Sequence, residues 1–421
     1  MTEYLTRRYS QRNSFREKGN IMKAAIMGYG TIGSGVAETL RVNRDVIAKR
    51  VGEPIELKKV LDLREFEGDP IQPLIVHDYM DIVNDPEIKI VVETMGGVEP
   101  AYTFVKAMLE AGKHVTTSNK ALVADKGAEL IRIAREHKVN FMFEASVGGG
   151  IPIIRCLQSC LTGDVIEYIA GIVNGTTNYM MTEMADKGAD FDDVLKEAQA
   201  KGFAEKDPTA DIEGYDACRK IAILTSLVAG QQVDYKDIPT EGITHISADD
   251  IKYAKKIGRK VKLLATSKEQ GNTYACRVAP FLVDPENPLY NVEGVFNAVL
   301  VHGNILGDGM FYGSGAGKLP TASAVVGDMV KIAKHLDKNV PIEWKEEKLD
   351  LADPGLDRYR FFVRATDDQG MIDESFGDGV EYIDADIVPG EVGFITPEME
   401  QRAFDEKVGK LTGAVNSIRL A

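Results

Sequence analysis

Residues 202–220 gather a dense set of ionisable side chains: Glu205, Asp207, Asp211, Glu213 and Asp216, with Lys220 at the end of the run. The segment that follows, Ile-Ala-Ile-Leu-Thr-Ser-Leu-Val-Ala, is apolar almost all round, as a buried helix is. Asp216 and Lys220 stand four apart, so a helix sets both on one face. On an open surface such a pair is a solvated ion pair worth about 0.3–0.5 kcal/mol. Where a carboxylate-rich loop runs into a buried helix, water does not solvate it freely, and the lysine must find partners. A partly desolvated lysine among carboxylates suits proton transfer and recognition of a small charged substrate.

The elements that must position this group begin upstream. Residues 23–27 read as a strand running into Gly28-Tyr29-Gly30-Thr31-Ile32-Gly33 and then a helix to about Arg50. Between a strand and a helix, Gly-x-Gly-x-x-Gly permits a tight turn and close approach of a pyrophosphate to the helix N-terminus. A second strand, 55–61, ends at Asp62-Leu-Arg64, where the ribose 2′ position is read. Asp62 favours NAD by accepting from the hydroxyl, Arg64 answers the phosphate of NADP, and a plain polar loop is the alternative to both. Strands at 88–94, 114–117 and 140–145 alternate with helices at 99–111 and 128–137. That alternation implies an α/β fold with a Rossmann-type, doubly wound parallel sheet, whose ligands lie beyond the carboxyl ends of the strands. Thr94 and Lys120 stand at such ends, which favours a ligand role for both.

After the last of these strands, Glu144 precedes Val147-Gly-Gly-Gly-Ile151-Pro152. Carbonyls from such a turn, with one carboxylate, suit a hard cation, but the turn by itself reads as a hinge between domains. The middle of the chain mixes helices, such as 191–202, with strands at 166–173 and 274–280. A second glycine-rich loop, 311–320, leads into a helix over 321–335. It either approaches the cofactor from the other side of a cleft or is an ordinary turn. Residues 341–354 look like a charged linker. Beyond them, strands at 358–365, 380–387, 392–396 and 415–420 with a helix at 397–410 form a small α+β unit.

With 421 residues, two or three domains are expected, and 44% hydrophobic with 27% charged residues fits a globular chain. A net charge of −15 argues against a basic nucleic-acid surface. No apolar run is long enough to span a membrane, and the first twenty residues lack the apolar core of a secretory signal. Cys156, Cys160, Cys218 and Cys276 show no Cys-x-x-Cys spacing, so they read as packing thiols in a reducing, cytoplasmic setting.

Taken together, the segments from about residue 22 to 335 closely resemble homoserine dehydrogenase. The resemblance is carried by the 28–33 turn, Thr-Ser-Asn-Lys120, Glu144-Ala-Ser-Val-Gly-Gly-Gly-Ile-Pro152, Gly171-Ile-Val-Asn-Gly-Thr-Thr-Asn-Tyr179, the run 198–216 and Gly315-Ala-Gly-Lys-Leu-Pro-Thr-Ala-Ser-Ala324. It implies reversible hydride transfer between L-homoserine and NAD or NADP, giving L-aspartate 4-semialdehyde, in threonine, methionine and isoleucine biosynthesis. By the same resemblance Lys220 donates and accepts the proton, Asp216 binds substrate beside it, and Glu205 and Asp211 belong to the homoserine site. Lys120 lies near cofactor and substrate. Tyr29, Thr31, Ile32, Gly202 and Gly317 match cofactor contacts, and Glu144 with the carbonyls of Val147, Gly149 and Ile151 matches a sodium site. The tail resembles an ACT domain with an abbreviated first helix, which implies weak or absent inhibition by threonine and a role in assembly.

The expected plan is therefore an extension (1–21), a dinucleotide-binding domain (22–150, completed by about 311–338), an α+β catalytic and dimerisation domain (151–310), a linker (339–357) and an ACT-like domain (358–421). The expected assembly is a homodimer or homotetramer. The competing readings are another amino-acid-pathway dehydrogenase of this fold and a nucleotide-binding regulatory homologue without activity.

Overall fold

Strand β1 (Met22–Met27) lies between β2 (Ile55–Leu61) and β4 (Ile88–Glu93), and a core covers each of its faces, one with Ala24 and Ile26 and the other with Ala25 and Met27, which is why its sequence shows no alternation. With β3 (Ile75–Val76), β5 (His114–Thr117) and β6 (Phe141–Met142) they form a six-stranded sheet of order β3-β2-β1-β4-β5-β6 in which every pairing is parallel. The strand order reverses between β1 and β4, so a crevice opens there at the carboxyl ends. The computed structural model describes residues 21–366, 368–383 and 387–421. Nearly all of the expected 1–21 extension, and residues 384–386 of the strand expected at 380–387, lie outside the described residues.

The helices of this sheet differ from expectation in two places. The single helix expected up to about Arg50 is two, α1 (Thr31–Val42) and α2 (Arg44–Val51), because Asn43 leaves helical geometry at φ −101° and ψ 18°. After α3 (Ala101–Glu110), helix α4 (Lys120–Glu136) starts eight residues before the expected 128. The Asn119 side chain accepts from the Leu122 amide and caps it, satisfying one of the donors a helix start leaves open.

Past α5 (Ile153–Ser159) the chain builds a mixed sheet. Its members are β7 (Ile166–Ile172), β9 (Lys260–Gln270), β10 (Thr273–Val283), β11 (Phe296–Gly303) and β12 (Gly307–Ser314). Against it lie α6 (Gly175–Lys187), α7 (Phe191–Ala200), α8 (Tyr215–Ala229) and α9 (Ala248–Lys256), with β8 (Gln231–Gln232) after α8. Helix α8 is the buried helix expected from its composition: Asp216, Lys220 and the run Ile221–Ser226 are all buried. Helix α10 (Lys318–Ala333) then returns to the first sheet. A Cβ on Gly35 of α1 would stand 2.7 Å from the Lys318 carbonyl oxygen, and Ala322, Val325, Met329 and Ile332 share a core with Ala24 and Ile26.

The tail is joined to the body more closely than a linker-separated unit would be. Residues 339–357 are packed: Trp344 is buried, meets the Phe143 ring at 6.0 Å and donates from Nε1 to Gln232 at 3.0 Å. Strand β13 (Lys345–Lys348) pairs with β8. Beyond β14 (Arg358–Tyr359) come β15 (Phe361–Ala365), the short α11 (Gln369–Phe376), β16 (Glu381–Tyr382), β17 (Val392–Ile395), β18 (Met399–Glu400), α12 (Gln401–Val408) and β19 (Ala414–Leu420). Strand β19 pairs in parallel with β10 through Phe281↔Arg419 and Leu282↔Leu420. One nine-stranded sheet results, of order β12-β11-β7-β9-β10-β19-β15-β17-β16. At its other edge β12 alternates half-buried and exposed residues, and Met310 and Tyr312 face outward with Tyr312 stacked on Phe296 at 5.3 Å. Among the described residues no helix is long and apolar enough to cross a membrane.

Candidate active site

The glycine turn is locked from two sides. The Gly28 amide donates to the Leu61 carbonyl at 2.8 Å, and Thr94 Oγ1 donates to the Gly28 carbonyl at 2.7 Å. Gly28 has φ +96°, which favours glycine, and a Cβ on Gly33 would collide with the Gly28 carbonyl oxygen. Gly30 differs: a Cβ there meets no atom within 4 Å, so protein packing does not explain the glycine. Helix α1 begins at this point without a side-chain cap, and its first amides point into the crevice as an anion site. The turn therefore fits a dinucleotide pyrophosphate. Tyr29 and Ile32 flank it half-buried, and Thr31 is exposed.

At the end of β2, Asp62 is already engaged. Its Oδ2 accepts from the Tyr29 amide at 2.8 Å, and its Oδ1 accepts from the Arg64 amide and Nε at 3.0 and 2.9 Å. The Arg64 guanidinium beside it holds the carboxyl at about 2, below the usual carboxylate range. Arg64 itself is exposed, lies 5.1 Å from the Phe66 ring centroid and donates to the Tyr29 carbonyl at 3.2 Å.

Across the crevice the two sheets bring charges together. Lys220 Nζ donates to Asp216 Oδ2 at 2.7 Å and to the Val173 carbonyl at 2.7 Å. Lys120, the first residue of α4, forms an ion pair with the other Asp216 oxygen. Asn174 Nδ2 donates to Asp216 at 2.9 Å and to Asp211 at 2.7 Å, while its Oδ1 caps α6. Burial alone would push the Asp216 carboxyl up, but Lys220 and Lys120 together overcome it and hold the group ionised. Burial lowers Lys220, and Lys120 adds to the lowering. Lys120, nearly half exposed, is raised: burial lowers it, and Asp216 more than offsets that. Of the three donors on the Lys220 ammonium, two are committed inside the protein, leaving one to face a ligand.

Not every expected residue joins this cluster. Glu205 is exposed on the loop between α7 and α8, and its carboxylate makes no hydrogen bond or ion pair among the described residues. That loop is tied to the start of α6 by Thr176 Oγ1, which donates to the Phe203 carbonyl at 2.6 Å. Gly202, at φ +75°, is exposed on the same loop, and Gly317, at φ +110°, opens α10 beside α1. The set expected to hold sodium fits only in part. Glu144 is buried, and its two oxygens accept from the Ile154 and Arg155 amides at 2.9 and 2.8 Å, with the Arg155 guanidinium 3.6 Å away. The Ile151 carbonyl accepts from the Ile153 amide. The carbonyls of Val147 and Gly149 accept none among the described residues. The Glu144 side chain thus anchors α5, and no step of the chemistry below runs through a metal.

Sequence reasoning missed two groups. Asn174 was visible only as part of a Gly-Thr-Thr motif, although Asn three residues before Thr177, whose amide it accepts at 2.9 Å, is an N-cap pattern. Glu93 closes a strand, Ile-Lys-Ile-Val-Val-Glu, that is apolar and buried apart from the exposed Lys89, and a charge at its buried end was the one signal.

A crevice that opens over Gly30 at the reversal of strand order, and ends at a desolvated lysine from the second sheet, defines a dinucleotide-dependent oxidoreductase. Two family models match the chain, "Homoserine dehydrogenase, NAD binding domain" over residues 28–144 and "Homoserine dehydrogenase" over residues 152–330. The chain belongs to the homoserine dehydrogenase family. It is 42% identical over 318 residues to the homoserine dehydrogenase of Bacillus subtilis (strain 168), covering 75% of this chain and 73% of that one. The crystal structure of a homoserine dehydrogenase from Thiobacillus denitrificans superposes with a TM-score of 0.88 at 36% identity, over 96% of this chain and 98% of that one. A hyperthermophilic archaeal homoserine dehydrogenase in complex with NADPH gives a TM-score of 0.64 at 28% identity, over 77% of this chain and all of that one (100%).

The open space at Gly30 yields a test that separates binding from folding. Gly30→Ala, at φ −83°, is expected to change thermal stability by no more than about 0.5 kcal/mol, the size of an ordinary surface change. Its methyl group occupies the pyrophosphate's approach, so NADPH affinity by fluorescence titration falls about tenfold or more, roughly 1.4 kcal/mol. Equal affinity in the two proteins would place the pyrophosphate elsewhere.

Proposed function

We propose that this chain interconverts L-homoserine and L-aspartate 4-semialdehyde with NAD or NADP, in the cytoplasm, as a step of threonine, methionine and isoleucine biosynthesis. The observation that carries this reading is the Lys220–Asp216–Lys120 cluster facing the dinucleotide crevice. When bound, the nicotinamide accepts or returns the hydride. Lys220 turns its remaining position toward the reacting oxygen: with its proton affinity lowered by burial, the neutral amine takes the hydroxyl proton on its lone pair in oxidation, and the ammonium gives it back in reduction. Asp216 fixes Lys220 in place and keeps the site's charge balanced. Lys120 adds a second donor at the developing alkoxide. Asp211, and Glu205 once its loop closes, answer the substrate ammonium.

A dehydrogenase that worked through a covalent thiol is disfavoured. Cys218 and Cys276 are buried, and burial pushes the thiols of Cys276 and Cys156 up to about 11.

Lys220→Met is expected to lower kcat by about 10² or more, the usual size of a general acid–base contribution, while NADPH titration stays unchanged. A loss of only a fewfold would remove Lys220 from the proton path.

The cofactor preference follows from Asp62. Both of its oxygens already serve Tyr29 and Arg64, so it is poorly placed to accept from a ribose hydroxyl, whereas Arg64 is exposed and charged. NADP is therefore expected to be used at least as well as NAD. Arg64→Ala should raise KM for NADP by about tenfold, the loss of one charge-assisted contact, and leave KM for NAD nearly unchanged. A strong NAD preference unaffected by the substitution would show that Asp62 governs the choice.

The outward residues Met310 and Tyr312 of the β12 edge, with Phe296 beside them, support self-association, since an exposed apolar edge strand is otherwise a liability. Sedimentation velocity is expected to show a homodimer or homotetramer that Tyr312→Asp weakens. A monomer at micromolar concentration would contradict this.

A further inference from the structure

Glu93 ends β4 at the reversal of strand order and is completely buried. Its Oε1 accepts from the Met95 amide at 2.7 Å, from the Gly96 amide at 3.4 Å and from Asn119 Nδ2 at 3.5 Å, and its Oε2 accepts from the Thr117 hydroxyl. The Thr117 hydroxyl in turn accepts from the Asn119 amide at 2.8 Å, which leaves its own proton for Glu93. Three donors thus converge on Oε1 and one on Oε2, and none of them is a cation. No lysine, arginine or histidine pairs with Glu93 among the described residues.

A buried carboxylate without a counter-charge costs several kcal/mol, and a neutral glutamine or an apolar residue would avoid that cost. The contrast with Asp216, which has two ammonium groups, is direct. Burial pushes the Glu93 carboxyl above the usual range even though its donors pull the other way. What relieves such a group is a positive charge that arrives from outside. In a doubly wound sheet the crevice at this position receives the nicotinamide end of the dinucleotide, and that ring is a cation when oxidised and neutral when reduced.

We propose that Glu93 supplies the fixed negative charge that makes this crevice prefer the oxidised, cationic nicotinamide ring over the reduced, neutral one. The inference rests on the reading of the crevice as the dinucleotide site. Glu93 acts through space, from beneath the Thr94–Gly97 loop whose amides it holds, and it takes no part in proton transfer. In a partly buried crevice, where the effective dielectric constant is about 20, a nearby unit charge shifts the balance between a cationic and a neutral form by tenfold or more.

The test is the ratio of the dissociation constants of NADPH and NADP⁺, measured by fluorescence and calorimetric titration of the full-length protein. In Glu93→Gln the ratio is expected to move at least tenfold toward NADPH. In Glu93→Asp, which keeps the charge, it stays within about threefold of the parent even if both affinities weaken. Equal weakening of both forms in Glu93→Gln would reduce Glu93 to a structural group and overturn the proposal. If Glu93→Gln does not fold, Thr117→Val removes a donor that favours the ionised carboxylate, so that Glu93 more readily takes a proton and loses its charge. The ratio should then shift in the same direction, and an unshifted ratio overturns the proposal equally. Failure of the parent protein to bind either form would instead overturn the dinucleotide reading itself.

Discussion

One carboxylate sets the terms for the rest of the structure. Asp216 is 3% exposed, and an unpaired charge at that depth would not be tolerated. Its own helix supplies Lys220, one turn away, but Lys120 comes from the end of β5 and the start of α4, in the other sheet. Asn174 brings a third element, the N-terminus of α6. The cluster is therefore complete only when the two sheets are docked, and their alignment is a condition of the charge balance as well as of the reaction.

Docking is held by groups far from the chemistry. Asp328 of α10 accepts from the Glu144 amide at 2.9 Å and from the Thr116 hydroxyl of β5 at 3.2 Å, and Arg155 of α5 donates to its other oxygen at 2.9 Å. Helix α10, which follows β12 in sequence, is thus bonded both to β5 of the first sheet and to the 144–155 segment that leads into the second. Trp344 presses the 339–357 segment onto α4 at Gly127, where a Cβ would stand 3.1 Å from the ring, and ties it to Gln232 just after α8. That strap joins the helix bearing Lys120 to the end of the helix bearing Lys220. It reads in sequence as a charged linker because its exposed residues are charged, while the buried Ile342, Trp344 and Leu349 and the β13–β8 pairing hold it to the body.

What the sequence made legible has local causes. The glycine turn is imposed by backbone sterics at Gly28 and Gly33, and α8 is marked by an apolar surface that only burial explains. The family resemblance brought Lys120 to the same site as Lys220, which spacing cannot do across a hundred residues. Three features stayed hidden because their causes are distant. The early start of α4 depends on the Asn119 cap at a corner that also reads as a loop. The joining of the tail to the body depends on Leu420 lying opposite Leu282, a register that no local pattern encodes. The open position of Glu205 is set by backbone ties from Thr176 to Phe203 and from Gln199 to Glu205 itself, and a residue expected to bind substrate says nothing about where its loop rests without it.

The two buried carboxylates near the crevice are answered in opposite ways, and the reaction accounts for the difference. Hydride transfer from an alkoxide to an oxidised nicotinamide removes a negative charge at one end and a positive charge at the other. At the oxygen end the protein places two ammonium groups around one carboxylate, so donors and positive potential face the developing alkoxide. At the end of β4 it places a carboxylate held only by neutral donors, which on the proposed reading turns negative potential toward the cationic ring. Each arrangement alone would be an odd use of buried charge. On the proposed reading they form a field aligned with the charge separation of the reactants and fixed by elements that need not rearrange as the hydride moves, which is the condition under which electrostatic stabilisation is most effective.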